Sequence, residues 1–171
     1  MPVAPSRARP ARPIVMGRAL PTLLAALLAG CAGLPASEAG PDGTDRVVRV
    51  IDGDTVELQE LGKTRLIGVD TPEVYGGVEC FGREASAYTK RRLPPGTAVA
   101  YELGAERTDR YERTLAYLRV GGPMVNDELL ERGYATPLAI EPNTRYKERF
   151  NRLAADATAA RRGLWGACPR P

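Results

Sequence analysis

Histidine is absent from all 171 residues. That excludes Ser–His triads, Cys–His nucleophiles, histidine metal ligands and any histidine base. Acid–base chemistry must fall to carboxylates, Lys, Tyr or Cys. The apolar run from Leu20 to Gly30 is too short to span a bilayer as a helix. Acids are missing from the first 30 residues, and the whole chain holds three cysteines. With 43% hydrophobic and 26% charged residues the composition is globular, which excludes wholesale disorder and a polytopic membrane protein. The length suits one compact domain.

The formal charge of +3 misleads. Arg7, Arg9, Arg12 and Arg18 are four of the 24 basic residues; without them 20 face 21 acids. The domain itself is not globally basic, so any polyanion must be held by a local patch or a bound metal. Arginines, a short apolar core and small residues before a cut read as an export signal over residues 1–30. Leu28-Ala29-Gly30-Cys31 resembles the bacterial lipobox, which implies lipidation of Cys31 and a membrane anchor. Residues 31–45, rich in small residues, Pro and Gly, read as a tether. The folded unit, 46–168, is expected to begin near Arg46. Two cysteines remain, Cys80 and Cys168, 88 positions apart. In an exported domain they suggest a disulfide, worth about 4 kcal/mol on the chain-entropy model.

Residues 46–51 and 55–58 are β-branched and partly alternating, with Asp52-Gly53-Asp54 as a tight turn between them. A third strand is expected over 64–69, ending at Asp70-Thr71-Pro72, and two more over 97–103 and 115–120. The polar stretch 104–114 is expected to form a hairpin end, and 73–80, with Gly76-Gly77, a mobile loop. Helices are expected over 82–93, over 124–133 and around Tyr146, Phe150, Leu153 and Ala157, the last closed by Gly163. No internal repeat is present. Five short strands with later helices make an α+β pattern, most economically closed as a five-stranded barrel of OB type.

Three clusters carry chemistry. Asp52-Gly53-Asp54 projects two carboxylates from one turn, a donor type that hard cations prefer, although Asp-Gly is also an ordinary hairpin turn. Arg65 precedes Asp70-Thr71-Pro72-Glu73 on one strand; an arginine fork suits a phosphate, Asp70 can share a cation with Asp54, and Glu73 can orient or deprotonate a water. Residues 107–113 interleave Arg107, Arg110 and Arg113 with Tyr111, a pattern that can hold a phosphate and stack a base, or simply be a solvated loop.

Together these strings resemble the staphylococcal nuclease family. The match is carried by VIDGDTVEL at 50–58, RLIGVDTPE at 65–73, GREASAYTK at 82–90, RTDRYERTLAYL at 107–118 and MVNDELLERGYA at 124–135. The resemblance implies an OB barrel with three helices acting as a monomer, and Ca²⁺-dependent cleavage of DNA and RNA to 3′-phosphate products. It places the metal on Asp54, Asp70 and the Thr71 carbonyl, with Asp52 behind them. It assigns the phosphate clamp to Arg65 and Arg113 and the general base to Glu73. Tyr111 and Arg110 fall at substrate-contacting positions.

The departures are local. Glu112 stands where the family has glycine, and could pair with Arg113 or point to solvent. Residues 136–142 lack the family's tyrosines, so substrate affinity or preference is expected to differ. A non-catalytic OB module binding nucleic acid or protein is the alternative function; divalent-dependent turnover separates the two.

Overall fold

The computed structural model describes residues 40–169. The segment read as an export signal, Cys31 and most of the segment read as a tether lie outside the described residues.

The turn-punctuated β-branched segments form strands β1 (Gly43–Val50), β2 (Thr55–Leu58), β3 (Gly62–Leu66), β5 (Ala98–Thr108) and β6 (Thr114–Arg119). They close into a barrel in the order β1-β2-β3-β6-β5, with β5 returning to β1. All neighbours are antiparallel except β3 and β6, which run parallel with Thr64 beside Thr114 and Arg65 beside Leu115. Helices α1 (Gly82–Arg92), α2 (Val125–Glu131) and α3 (Lys147–Ala159) pack outside. The fold is the expected α+β OB-type barrel with three helices.

The core forms because one face of each strand and one stripe of each helix are apolar. Val47, Val56, Leu58, Leu66, Val99 and Leu118 meet Leu129, Leu130 and Phe150 there, all nearly inaccessible to water. Tyr117 sets its ring edge-on to Tyr146, with centroids 4.7 Å apart.

Several boundaries differ from the sequence expectation. The first strand begins at Gly43 rather than Arg46, because Gly43–Arg46 pair with Tyr101–Ala98. The strand expected over 64–69 breaks in two. Gly68 adopts φ +77°, and a Cβ there would collide with the Phe150 ring. The chain therefore leaves the barrel as β4 (Gly68–Asp70) and pairs with β7 (Thr136–Leu138), a strand not anticipated from three residues that include Pro137. At the break, buried Asn126 donates to the Ile67 carbonyl at 2.8 Å, so the chain bends without stranding a buried acceptor. β5 runs on to Thr108 because the Asn143 side chain bonds both the N–H and the C=O of Glu106, at 2.9 Å each, where ladder partners run out. The hairpin tip is thus only residues 109–113.

Helix α2 ends two residues early, at Glu131, because Gly133 takes φ +70° and the Tyr134 amide caps the Leu129 carbonyl. A one-turn helix, α4 (Leu164–Ala167), follows α3. Immediately after it, Cys168 is disulfide-bonded to Cys80. No described helix is long and apolar enough to cross a membrane.

Candidate active site

The β1–β2 turn is held from two sides. Thr89 of α1 donates its hydroxyl to the Gly53 carbonyl at 2.7 Å, and Thr71 lies so close that a Cβ on Gly53 would strike it. This fixes Asp54, which is buried. Its Oδ2 accepts from the Thr71 amide at 2.9 Å and the Thr71 hydroxyl at 3.0 Å, and its Oδ1 from Thr55 at 3.1 Å. Asp52 stands behind, accepting the Asp54 amide at 3.2 Å.

Arg65 crosses in front of this turn. Its Nη1 lies 2.9 Å from Asp54 Oδ2 and donates to the carbonyls of Leu66 and Val69; its Nη2 reaches Asp70 Oδ1 at 2.9 Å. One guanidinium therefore draws together two carboxylates 16 residues apart in sequence. Asp54 lies buried behind Arg65, and Asp70 is exposed beside it. The Nε edge of Arg65 keeps no protein acceptor among the described residues, which leaves it open to an incoming oxyanion. Burial pushes the Asp54 carboxyl up to about 6 even though Arg65 and the Thr71 amide pull it down. Asp54 is thus a carboxylate short of positive charge.

Across from Arg65, Arg113 projects from the hairpin tip. Its Nε and Nη2 both bind Asp109 Oδ2 at 2.7 Å, while Asp109 Oδ1 accepts the amides of Tyr111 and Arg113. Burial alone would raise Asp109, but these bonds outweigh it and hold the carboxyl below its ordinary range. Glu112, named in the sequence as the possible partner of Arg113, is not. It adopts φ +60°, the conformation for which glycine is favoured, and is exposed. The competitor is Asp109, whose i,i+4 spacing to Arg113 was the available signal. Tyr111 is 63% exposed and has two guanidinium groups near its ring, Arg110 at 4.8 Å and Arg113 at 5.4 Å from its centroid.

A cleft of about 580 Å³ joins the two sides, with Arg65 on one wall and Asp109, Arg110, Tyr111 and Arg113 on the other. Its far end is aliphatic, lined by Leu138 and Ile140. The structure thus brings Asp52, Asp54, Arg65, Asp70 and Thr71 together and sets Arg113, Tyr111 and Arg110 opposite them. Glu73 stands apart, exposed on the following loop, and its carboxylate contacts no partner among the described residues. Its backbone is fixed instead: its amide donates to Glu79 Oε2 at 3.0 Å, and its carbonyl accepts the Glu79 amide at 2.9 Å. Sequence reasoning gave Glu79 no role. Tyr75 pins the same loop to the Ile51 carbonyl at 3.1 Å.

Asp54 and Asp70 offer only oxygen donors, the chemistry that a hard divalent cation takes. No group of three or more acidic, histidine or cysteine side chains among the described residues could hold a metal. A cation here would complete its shell with backbone carbonyls, such as that of Thr71, and water. On those terms the donor set suits a hard divalent cation.

A closed five-stranded barrel with two carboxylates bridged by an arginine, and an arginine–tyrosine hairpin lining the same cleft as that arginine, defines an OB-type protein with cationic side chains gathered at one cleft. The chain belongs to the staphylococcal nuclease family: the family model described as "Staphylococcal nuclease homologue" matches residues 63–167. Over 128 residues it is 40% identical to the thermonuclease of Staphylococcus hyicus, covering 71% of this chain and 75% of that protein. Over 125 residues it is 37% identical to the thermonuclease of Staphylococcus intermedius, covering 70% and 74%. It is also 35% identical, over 77% of its length, to a segment that makes up 12% of the endonuclease YhcR of Bacillus subtilis.

Proposed function

We propose that the protein is a Ca²⁺-dependent nuclease that hydrolyses phosphodiester bonds of single-stranded or locally opened DNA and RNA, leaving 3′-phosphate ends. Kinship with thermonucleases and endonucleases supports a nuclease. The observation that carries the site reading is Arg65 bridging Asp54 and Asp70 on the wall of a cleft shared with Arg113 and Tyr111.

Attack of water on phosphorus gathers negative charge on the nonbridging oxygens. Arg65, through its open Nε edge, and Arg113, once turned from Asp109, are placed to neutralise that charge from two sides. Ca²⁺ held by Asp54, Asp70 and the Thr71 carbonyl would supply further Lewis-acid stabilisation of the same charge. Glu73, fixed through its backbone and with a free carboxylate, orients the water and takes its proton. The bond to the 5′ oxygen breaks, giving a 3′-phosphate and a 5′-hydroxyl. Tyr111, flanked by Arg110, offers a stacking face to an adjacent base.

We place the protein outside the cytoplasm as a lipid-anchored monomer, the membrane being touched only through the lipid on Cys31. The Leu28–Cys31 string supports the anchor, and the Cys80–Cys168 disulfide suits an oxidising compartment. The test is cleavage of labelled single-stranded DNA and RNA in Ca²⁺, in Mg²⁺ and in chelator, with end-group analysis. Ca²⁺-dependent cleavage to 3′-phosphates supports the reading. DNA that is retarded but uncut in Ca²⁺ would make the chain a binding module instead.

A further inference from the structure

We propose that the groove between the β1–β2 turn and the hairpin tip, outside the carboxylate–arginine wall, is a second phosphate subsite for a single-stranded polynucleotide, held by Lys63. The proposal rests on reading the chain as a nuclease. The groove measures about 360 Å³ and is lined by Ile51, Asp52, Thr55, Lys63, Tyr111 and Arg113. It shares Tyr111 and Arg113 with the larger cleft, so a strand can pass from one into the other across the hairpin tip.

Lys63 lies two residues before Arg65 on β3, so both side chains leave the same face of the strand, about 7 Å apart along it. That is the scale of one backbone repeat of an extended single strand. Because β3 runs parallel to β6 with Thr64 beside Thr114, Lys63 also stands level with Arg113. The three cations differ in what already holds them. Arg65 is taken by Asp54 and Asp70, and Arg113 by Asp109. Glu57, the cross-strand neighbour of Lys63, is taken by Arg49 at 2.5 Å. Lys63 is exposed, and its ammonium has no hydrogen-bond or ion-pair partner among the described residues. Asp52, the carboxylate of the groove, turns Oδ1 to the Asp54 amide. A free ammonium one backbone repeat from the wall, on the path out of the cleft, matches the next phosphate of a bound strand.

The test compares the full chain with Lys63→Ala and Lys63→Arg. Binding of a fluorescent single-stranded dodecanucleotide is followed by anisotropy in chelator over a range of salt. Cleavage in Ca²⁺ is then followed on the dodecanucleotide and on a dinucleotide, whose single phosphate cannot reach both sites. Lys63→Ala is expected to weaken dodecanucleotide binding about two- to fivefold, the size of one exposed ion pair. It should flatten the log–log salt slope by about 0.7, and lower kcat/KM more on the dodecanucleotide than on the dinucleotide by that same factor. Lys63→Arg should restore both. Unchanged binding and slope, or equal losses on the two substrates, would overturn the subsite. If the unaltered chain binds the dodecanucleotide and cuts nothing, the nuclease reading fails, and the anisotropy comparison still decides Lys63.

Discussion

Arg65, backed by Asp54 and Asp70, and the 109–113 hairpin line one cleft but are built by opposite means. The Arg65 side is fastened to the core. Asp54 is buried, Thr71 and Thr89 grip its turn, and Arg65 ties β3 to the end of β4. Among the described residues the hairpin tip is fastened to itself, through Asp109 and the guanidinium groups beside an exposed Tyr111. Its one strained residue, Glu112, sits in a conformation that a non-glycine residue holds at a cost of roughly 1 kcal/mol or more. The lesson is a difference in anchoring. The Asp54 side is held by several elements because a buried carboxylate needs fixed partners, whereas the hairpin rests on one local ion pair beneath an exposed Tyr111.

The sharpest way to break that comparison is to remove one arginine from each side. Arg65→Ala should lower the cleavage rate about 10²–10³-fold and also lower the melting temperature, since it leaves buried Asp54 unpaired. Arg113→Ala should cost activity with little change in melting. Equal melting losses would show that the hairpin is part of the structural frame after all.

Next in size is the disulfide, which ties Cys80, at the end of the Glu73 loop, to Cys168 after α4. Replacing both cysteines by serine should cost up to about 4 kcal/mol for a crosslink spanning 88 residues. Urea denaturation measures this, and a loss below 1 kcal/mol would mean that the loop and the C-terminal segment hold each other without it.

A smaller effect runs the other way. The Asp54 carboxyl is raised from 3.8 to about 6 in the fold, so it binds a proton more tightly folded than unfolded. Its contribution to stability is fully present below about 3.8 and is lost as the pH rises through about 6. Asp54→Asn should therefore stabilise the protein in chelator at pH above 7 by roughly 1–3 kcal/mol. The gain should vanish toward pH 3.5, while activity is lost at every pH. Equal stability changes at both pH values would contradict the burial account.

Smallest is Asp109→Asn. Asparagine keeps the acceptor for the Tyr111 and Arg113 amides but releases the Arg113 cation, so KM for single-stranded DNA should fall about two- to fivefold with melting nearly unchanged. A rise in KM would mean that Asp109 holds Arg113 in its working position.

Much of this was legible beforehand because motif and element coincide. The Asp52–Asp54 turn, Arg65 with Asp70 and Thr71, and the three helices follow from local chemistry and spacing, and the pairing of Cys80 with Cys168 from two cysteines remaining in a domain read as exported. What was not legible depends on tertiary partners. Gly68 breaks a strand because Phe150, 82 positions on, needs its space. β7 exists only because β4 leaves the barrel beside it. Asp109, Glu79 and Lys63 look like ordinary surface charges until the hairpin, the loop and the parallel β3–β6 pair set their neighbours.

The central claim is that wall, hairpin and Glu73 act on one phosphodiester. The most direct measurement is the initial rate of single-stranded DNA hydrolysis in Ca²⁺ by the full chain beside Glu73→Gln and Arg113→Ala, each repeated in chelator. The expected result is cleavage that chelator abolishes and that each substitution lowers by about 10² or more. Either variant retaining half the rate of the unaltered chain would remove that residue from the mechanism. No cleavage by a folded, Ca²⁺-binding chain would contradict the claim outright.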